Sequence, residues 1–201
     1  MPGHALMNVS TMKQYNKAFF LTMILAAAAI GVMMNSCKKS KTNGATGTPT
    51  LYDTLGGKTP VVDPEDTSLM IEQGYLTIRT IVDTTMFTFA SDPLIDTFFN
   101  VLRSDDAAGN SSEYISLSTA MSHFIAMAAG SVDSVYTGPD MYAAHRHATD
   151  SNMPNIPLPD SVFNEFVYDL GQSAINYGLS AQVVSQFGSM LYKYEDQIVH
   201  P

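Results

Sequence analysis

One cysteine, Cys37, stands alone in 201 residues. No disulfide can therefore form within the chain, and any fold rests on packing. Tryptophan is absent, so aromatic character comes from ten Phe and ten Tyr. Basic residues are scarce: ten Lys and Arg stand against nineteen Asp and Glu, for a net charge of −9. Such a chain has no basic stripe to meet phosphates, which excludes nucleic acid as a partner. The acidic excess serves to solvate the surface. No segment alternates apolar and polar residues convincingly enough to read as a strand. No His, Cys, Asp or Glu cluster has the spacing of a zinc site, and neither a nucleophile elbow nor a carboxylate pair can be read. What remains is 45% apolar, enough to build the core of one domain.

The first 36 residues do not belong to that domain. Lys13 and Lys17 precede the apolar run Ala18 to Met34, the pattern of a secretory signal, a little short for a membrane span. Cys37 follows directly on Asn35-Ser36. A lone cysteine at that place resembles the lipobox of bacterial lipoproteins, in which the cysteine is lipidated, although small residues are commoner than Asn at that position. The expectation is a signal over residues 1–36, a flexible tether over 37–50 leading from lipidated Cys37, and a domain over 51–201 held outside the cytoplasm. The tether is rich in Lys, Ser, Thr, Gly and Asn and has no apolar periodicity.

The domain reads as helical. Leu51 to Gly57 is a helical turn closed by two glycines, and Pro60 and Pro64 keep residues 58–67 out of regular helix. From Ser68 to Ala90, Ile78, Ile81, Val82, Met86 and Phe89 fall on one stripe. Ser91-Asp92-Pro93 stops that helix, and an apolar knot of Ile95, Phe98 and Phe99 follows. A second helix from about Ser112 to Ala129 carries Tyr114, Leu117, Met121, Phe124, Ile125 and Ala128, and Gly130 ends it. Asp160 is placed as the N-cap of a third long helix and Ser180 as that of a fourth.

Between them lies Tyr136-Thr137-Gly138-Pro139-Asp140-Met141-Tyr142-Ala143-Ala144-His145, a tight turn running into a short helix with Pro139 near its first position. Met141, Ala144 and His145 share one side of that helix. An imidazole at the end of an apolar face is either an ordinary core histidine or an axial metal ligand. The residues of the segment alone leave both open.

Three stretches, LYDTLGG (Leu51 to Gly57), SDPLIDTFF (Ser91 to Phe99) and YTGPDMYAAH (Tyr136 to His145), resemble landmarks of the truncated haemoglobins, group I type, and stand in that family's order. The resemblance covers Leu51 to Val199. It implies an all-α, two-over-two helical sandwich around one haem b. His145 takes the place of the proximal iron ligand, Phe99 with Phe98 the place of the phenylalanine stacked on the porphyrin, and Met141 a haem-contacting place one turn before the ligand. Met86 falls where the family has its distal tyrosine, and Leu117 and Met121 fall at the distal positions of the second helix, with Phe124 beside them. Three loops are longer than in typical members, after Gly57, Phe99 and His147. The second glycine pair is only half present, as Gly130-Ser131.

The distal wall so implied is apolar. Bound O2 is held by hydrogen-bond donors, and a charge-assisted bond is worth about 1.5–3 kcal/mol, so its loss weakens retention roughly ten-fold or more. Thr85 or Tyr114 would supply a donor if the register shifts, and a Met thioether as sixth ligand is a further option. His147 points nearly opposite to His145, His123 leaves the haem face, His200 is terminal, and His4 precedes the cleavage point. The resemblance thus implies a membrane-tethered protein that binds a diatomic gas (O2, NO or CO) at five-coordinate iron. Binding is favoured over catalysis, with NO dioxygenase or peroxidase activity kept open. The alternatives are an electron-transfer haem protein with an unidentified redox partner, or a haem-free globin scaffold acting as a cell-surface interaction module.

Overall fold

The computed structural model describes residues 48–89, 91–99, 107–133, 136–146 and 157–200. The signal region, Cys37, nearly all of the tether and His147 lie outside the described residues. Everything described belongs to the unit spanning Gly47–Pro201.

The chain enters through α1 (Leu51–Thr54), a single turn capped reciprocally. The Thr50 hydroxyl accepts from the Asp53 amide at 3.1 Å, and the Thr50 amide donates to the Asp53 carboxylate at 2.9 Å, a capping box that satisfies two orphan groups at once. Gly56 and Gly57 then turn the backbone at φ +117° and +54°, a path that costs a side-chain-bearing residue strain.

The next segment departs from the expectation of a domain without strands. β1 (Pro60–Val62) and β2 (Met70–Glu72) form an antiparallel hairpin, with Pro60 opposite Glu72 and Val62 opposite Met70. Pro60 opens its strand, a position proline tolerates. Asp63 and Asp66 shape the connection by accepting from the amides of Glu65 (2.9 Å) and Ser68 (3.0 Å), bonds that compete with helix. The helix expected from Ser68 therefore begins only at Gln73.

That helix, α2 (Gln73–Phe89), buries all five residues of its expected stripe, Ile78, Ile81, Val82, Met86 and Phe89. Asp92 closes the turn after it, accepting from the Leu94 amide at 2.7 Å, and leads into a 3₁₀ turn, Asp96–Phe99. α3 (Ser112–Ala128) packs along α2. α4 (Met141–Arg146) is short. The Asp140 carboxylate caps it, accepting from the Ala143 amide at 2.7 Å, so Pro139 lies just ahead of the cap rather than inside the first turn. α5 (Asp160–Tyr177) takes Pro159 as its N-cap, so Asp160 is its first helical residue rather than its cap. α6 (Ala181–Leu191) begins at Ser180, whose hydroxyl accepts from the Val183 amide. A 3₁₀ turn, Tyr192–Tyr194, and α7 (Glu195–Ile198) complete the described elements.

α2 and α3 form one pair, α5 and α6 the other, and α2 packs across α5. This is the two-over-two sandwich. The hairpin is its addition to an otherwise helical architecture. No helix among the described residues is long and apolar enough to cross a membrane.

Candidate functional site

The helices do not close completely on one another. Between α3, α4, α5 and the chain after α6 lies a cavity of about 310 Å³, at the lower end of the range of small-molecule sites. The 3₁₀ turn supplies Ile95, Phe98 and Phe99; α3 supplies Leu117, Ala120, Met121, Phe124 and Ile125; α4 supplies Met141, Ala144 and His145. α5 contributes Val162, Phe163 and Phe166, and the remaining wall comes from Tyr136, Leu158, Leu191, Ile198 and His200. All but three of these side chains are apolar.

Local chemistry places the histidine of α4. A helix of six residues is too short to hold itself by propensity, and the Asp140 cap and the seating of Met141 in the core fix it. His145 Nδ1 lies 2.8 Å from the Met141 carbonyl oxygen. A carbonyl only accepts, so Nδ1 carries the proton and the lone pair is on Nε2. A metal-binding imidazole needs this tautomer, and a bond from the opposite nitrogen to a backbone carbonyl is how proteins fix it.

The aromatic walls hold each other. Phe99 stacks on Phe89 with centroids 4.8 Å apart and planes inclined by 20°, and Phe89 meets Phe166 at 5.8 Å. Phe124 takes the rings of Tyr136 (5.6 Å) and Tyr194 (4.9 Å) edge to face, favourable quadrupole geometries. Tyr136 in turn folds over Gly138 so closely that a Cβ there would overlap the phenol. Burial, and then the charge of Asp140, raises the Tyr136 hydroxyl above the usual tyrosine range.

Of the residues singled out from the sequence, Phe98, Phe99, Leu117, Met121, Phe124, Met141 and His145 line this one cavity. Met86 does not. It is buried, but it shares the α2 stripe that packs into the core. Neither Thr85 nor Tyr114 lines the cavity either. The Thr85 hydroxyl donates to the Ile81 carbonyl at 2.7 Å, and Tyr114 stands edge-on to Phe87 at 6.3 Å. His123 packs against Tyr75 with centroids 4.9 Å apart, away from the cavity.

Two cavity residues are not among the expected ones: Tyr136, and His200, which its terminal position sets aside in the sequence. Tyr136 lies inside the YTGPDMYAAH stretch, whose local pattern marks only a turn at that residue. His200 is brought in by a backbone bridge to Leu158, with amide-to-carbonyl distances of 2.9 Å in both directions, and nothing local to either segment signals that pairing.

No protein-family model and no curated protein matches the chain. Solved structures do. Two structures of truncated haemoglobin from Tetrahymena pyriformis, both Fe(III) forms of point mutants, superpose on it with a TM-score of 0.54 and 14% identity. Each alignment covers 76% of this chain and all of the other. The chain has the truncated globin fold.

Proposed function

We propose that this chain binds haem b in the apolar cavity, with His145 as the iron ligand, and that it takes up a diatomic gas there outside the cytoplasm. A flat apolar macrocycle with one metal asks for apolar walls and a nitrogen donor. The residues present fit that demand: aromatic and aliphatic side chains throughout, and an imidazole whose lone pair is on Nε2. The observation that carries the reading is the 2.8 Å contact of His145 Nδ1 with the Met141 carbonyl, at the edge of that cavity. An open space beside His145 also favours haem over a haem-free interaction module, whose side chains would fill it.

Haem iron would supply reversible binding of O2, NO or CO. The chain's own residues set what surrounds it. Phe98 and Phe99 give a flat aromatic wall. Leu117, Met121 and Phe124 give an apolar wall without a hydrogen-bond donor, which retains O2 poorly and affects CO and NO less. Such a pocket suits binding rather than catalysis. Membrane attachment through lipidated Cys37 rests on the sequence motif.

A hemin titration of the purified chain tests the haem reading. The expected result is a saturable Soret band at one hemin per chain, with affinity lowered at least roughly ten-fold in His145→Ala, the loss of a ligand bond worth more than about 1.4 kcal/mol. A folded chain without a Soret band, or a His145→Ala variant that binds as tightly as the wild type, overturns it.

A further inference from the structure

Tyr136, His145 and His200 are the polar side chains that line the cavity among the described residues. The proposed function uses the second and leaves the third unexplained. His200 is held firmly: its backbone exchanges two hydrogen bonds with Leu158, itself a cavity residue. Its Nδ1 lies 3.1 Å from the Ile198 carbonyl oxygen. The proton is therefore on Nδ1 and the lone pair on Nε2. That Nε2 is buried and has no hydrogen-bond partner. Burying an acceptor unsatisfied is costly, and protein structures rarely do so without a reason.

His200 is thus prepared in the same way as His145, with Nδ1–H on a backbone carbonyl and the Nε2 lone pair away from it. The two also come from neighbouring elements, since α7, which ends at Ile198, packs against α4.

We propose that His200 is a second iron-ligating imidazole of this cavity, able to hold the iron without His145. The inference rests on the haem reading above and extends it. A neutral imidazole in an apolar cavity is the donor haem iron takes, and the bond from Nδ1 to the Ile198 carbonyl orients the ring. The orphaned nitrogen then has a partner whenever the iron leaves His145, and the iron stays five-coordinate on either imidazole.

The test uses the full chain loaded with hemin and then reduced, in four forms: wild type, His145→Ala, His200→Ala and the double variant. The readout is the iron–imidazole stretching band in resonance Raman, with circular dichroism to establish that each variant is folded. The expected result is a band that persists, shifted, in His145→Ala and is absent in the double variant. A band lost in His145→Ala alone overturns the proposal. Should His145→Ala not fold, the single His200→Ala variant decides. Hemin transfer to excess apomyoglobin becomes several-fold faster if His200 recaptures iron, and an unchanged rate overturns the proposal. A wild-type chain with no Soret band would sink the haem reading and this proposal together. A loaded wild type whose His145→Ala and double variants are spectroscopically identical sinks only this one.

Discussion

At the scale of single residues, a buried polar group outside the cavity ties stability to pH. Asp169 is only 5% exposed, and one of its carboxylate oxygens has no hydrogen-bond partner. Carboxylate oxygens of Asp92, Glu165 and Asp169 lie within 4.8 Å of one another. Burial first, then the charges of Asp92 and Glu165, push Asp169 up from 3.8 to about 6. For an acid whose folded value is raised, the folded state binds the proton more tightly than the unfolded one. The contribution of Asp169 to stability is therefore greatest below 3.8 and is lost as pH rises through about 6. Asp169→Asn removes the charge and hence this dependence. Its melting temperature should exceed that of the wild type at pH 7.5, by roughly 2–4 °C per kcal/mol for a chain of this size, and match it near pH 3.5. A variant that melts lower at pH 7.5 would show that the ionised carboxylate is a stabilising group.

At the scale of elements, the hairpin is tied to α2 chiefly by the buried ion pair of Arg79 with Asp63, beside a longer contact of 3.6 Å to the exposed Glu65. The Arg79 guanidinium donates to both oxygens of Asp63, at 3.0 and 2.6 Å, and holds that carboxyl below its usual range. The two side chains are 13% and 9% exposed. Removing one partner of a buried pair leaves the other charge uncompensated, so Arg79→Ala should cost about 3–5 kcal/mol in urea unfolding. A cost below about 1 kcal/mol would mean that the pair behaves as a surface one. The same hairpin marks where sequence reading stopped. The α2 stripe is legible because five apolar residues repeat at helical spacing and packing selects for that face. The strands are three residues each, too short for alternation to register, and their pairing depends on a turn built by Asp63 and Asp66. The cap of α4 shows a smaller version of the same problem: Pro139 and Asp140 both suit a helix start, and only the geometry distinguishes them.

At the scale of the whole molecule, two helix pairs packed across one another leave a cavity that no single helix encloses. Much of its lining could be read from the chain, since Leu117, Met121 and Phe124 repeat at helical spacing and Met141 with His145 fall one turn apart. Met86 could not be placed, because a residue counted back from Phe99 faces core or cavity according to the rotation of α2. His200 is illegible for a different reason: its place depends on pairing with Leu158 across α5, α6 and α7. The central claim is that this cavity takes a haem whose iron rests on an imidazole. The absorption spectrum of the hemin-loaded, reduced chain, recorded without and then with O2, tests it most directly. The account predicts a five-coordinate ferrous spectrum that O2 converts to an oxygenated one and that returns quickly when O2 is removed. A folded chain whose spectrum is that of free haem, unchanged by O2, would contradict it.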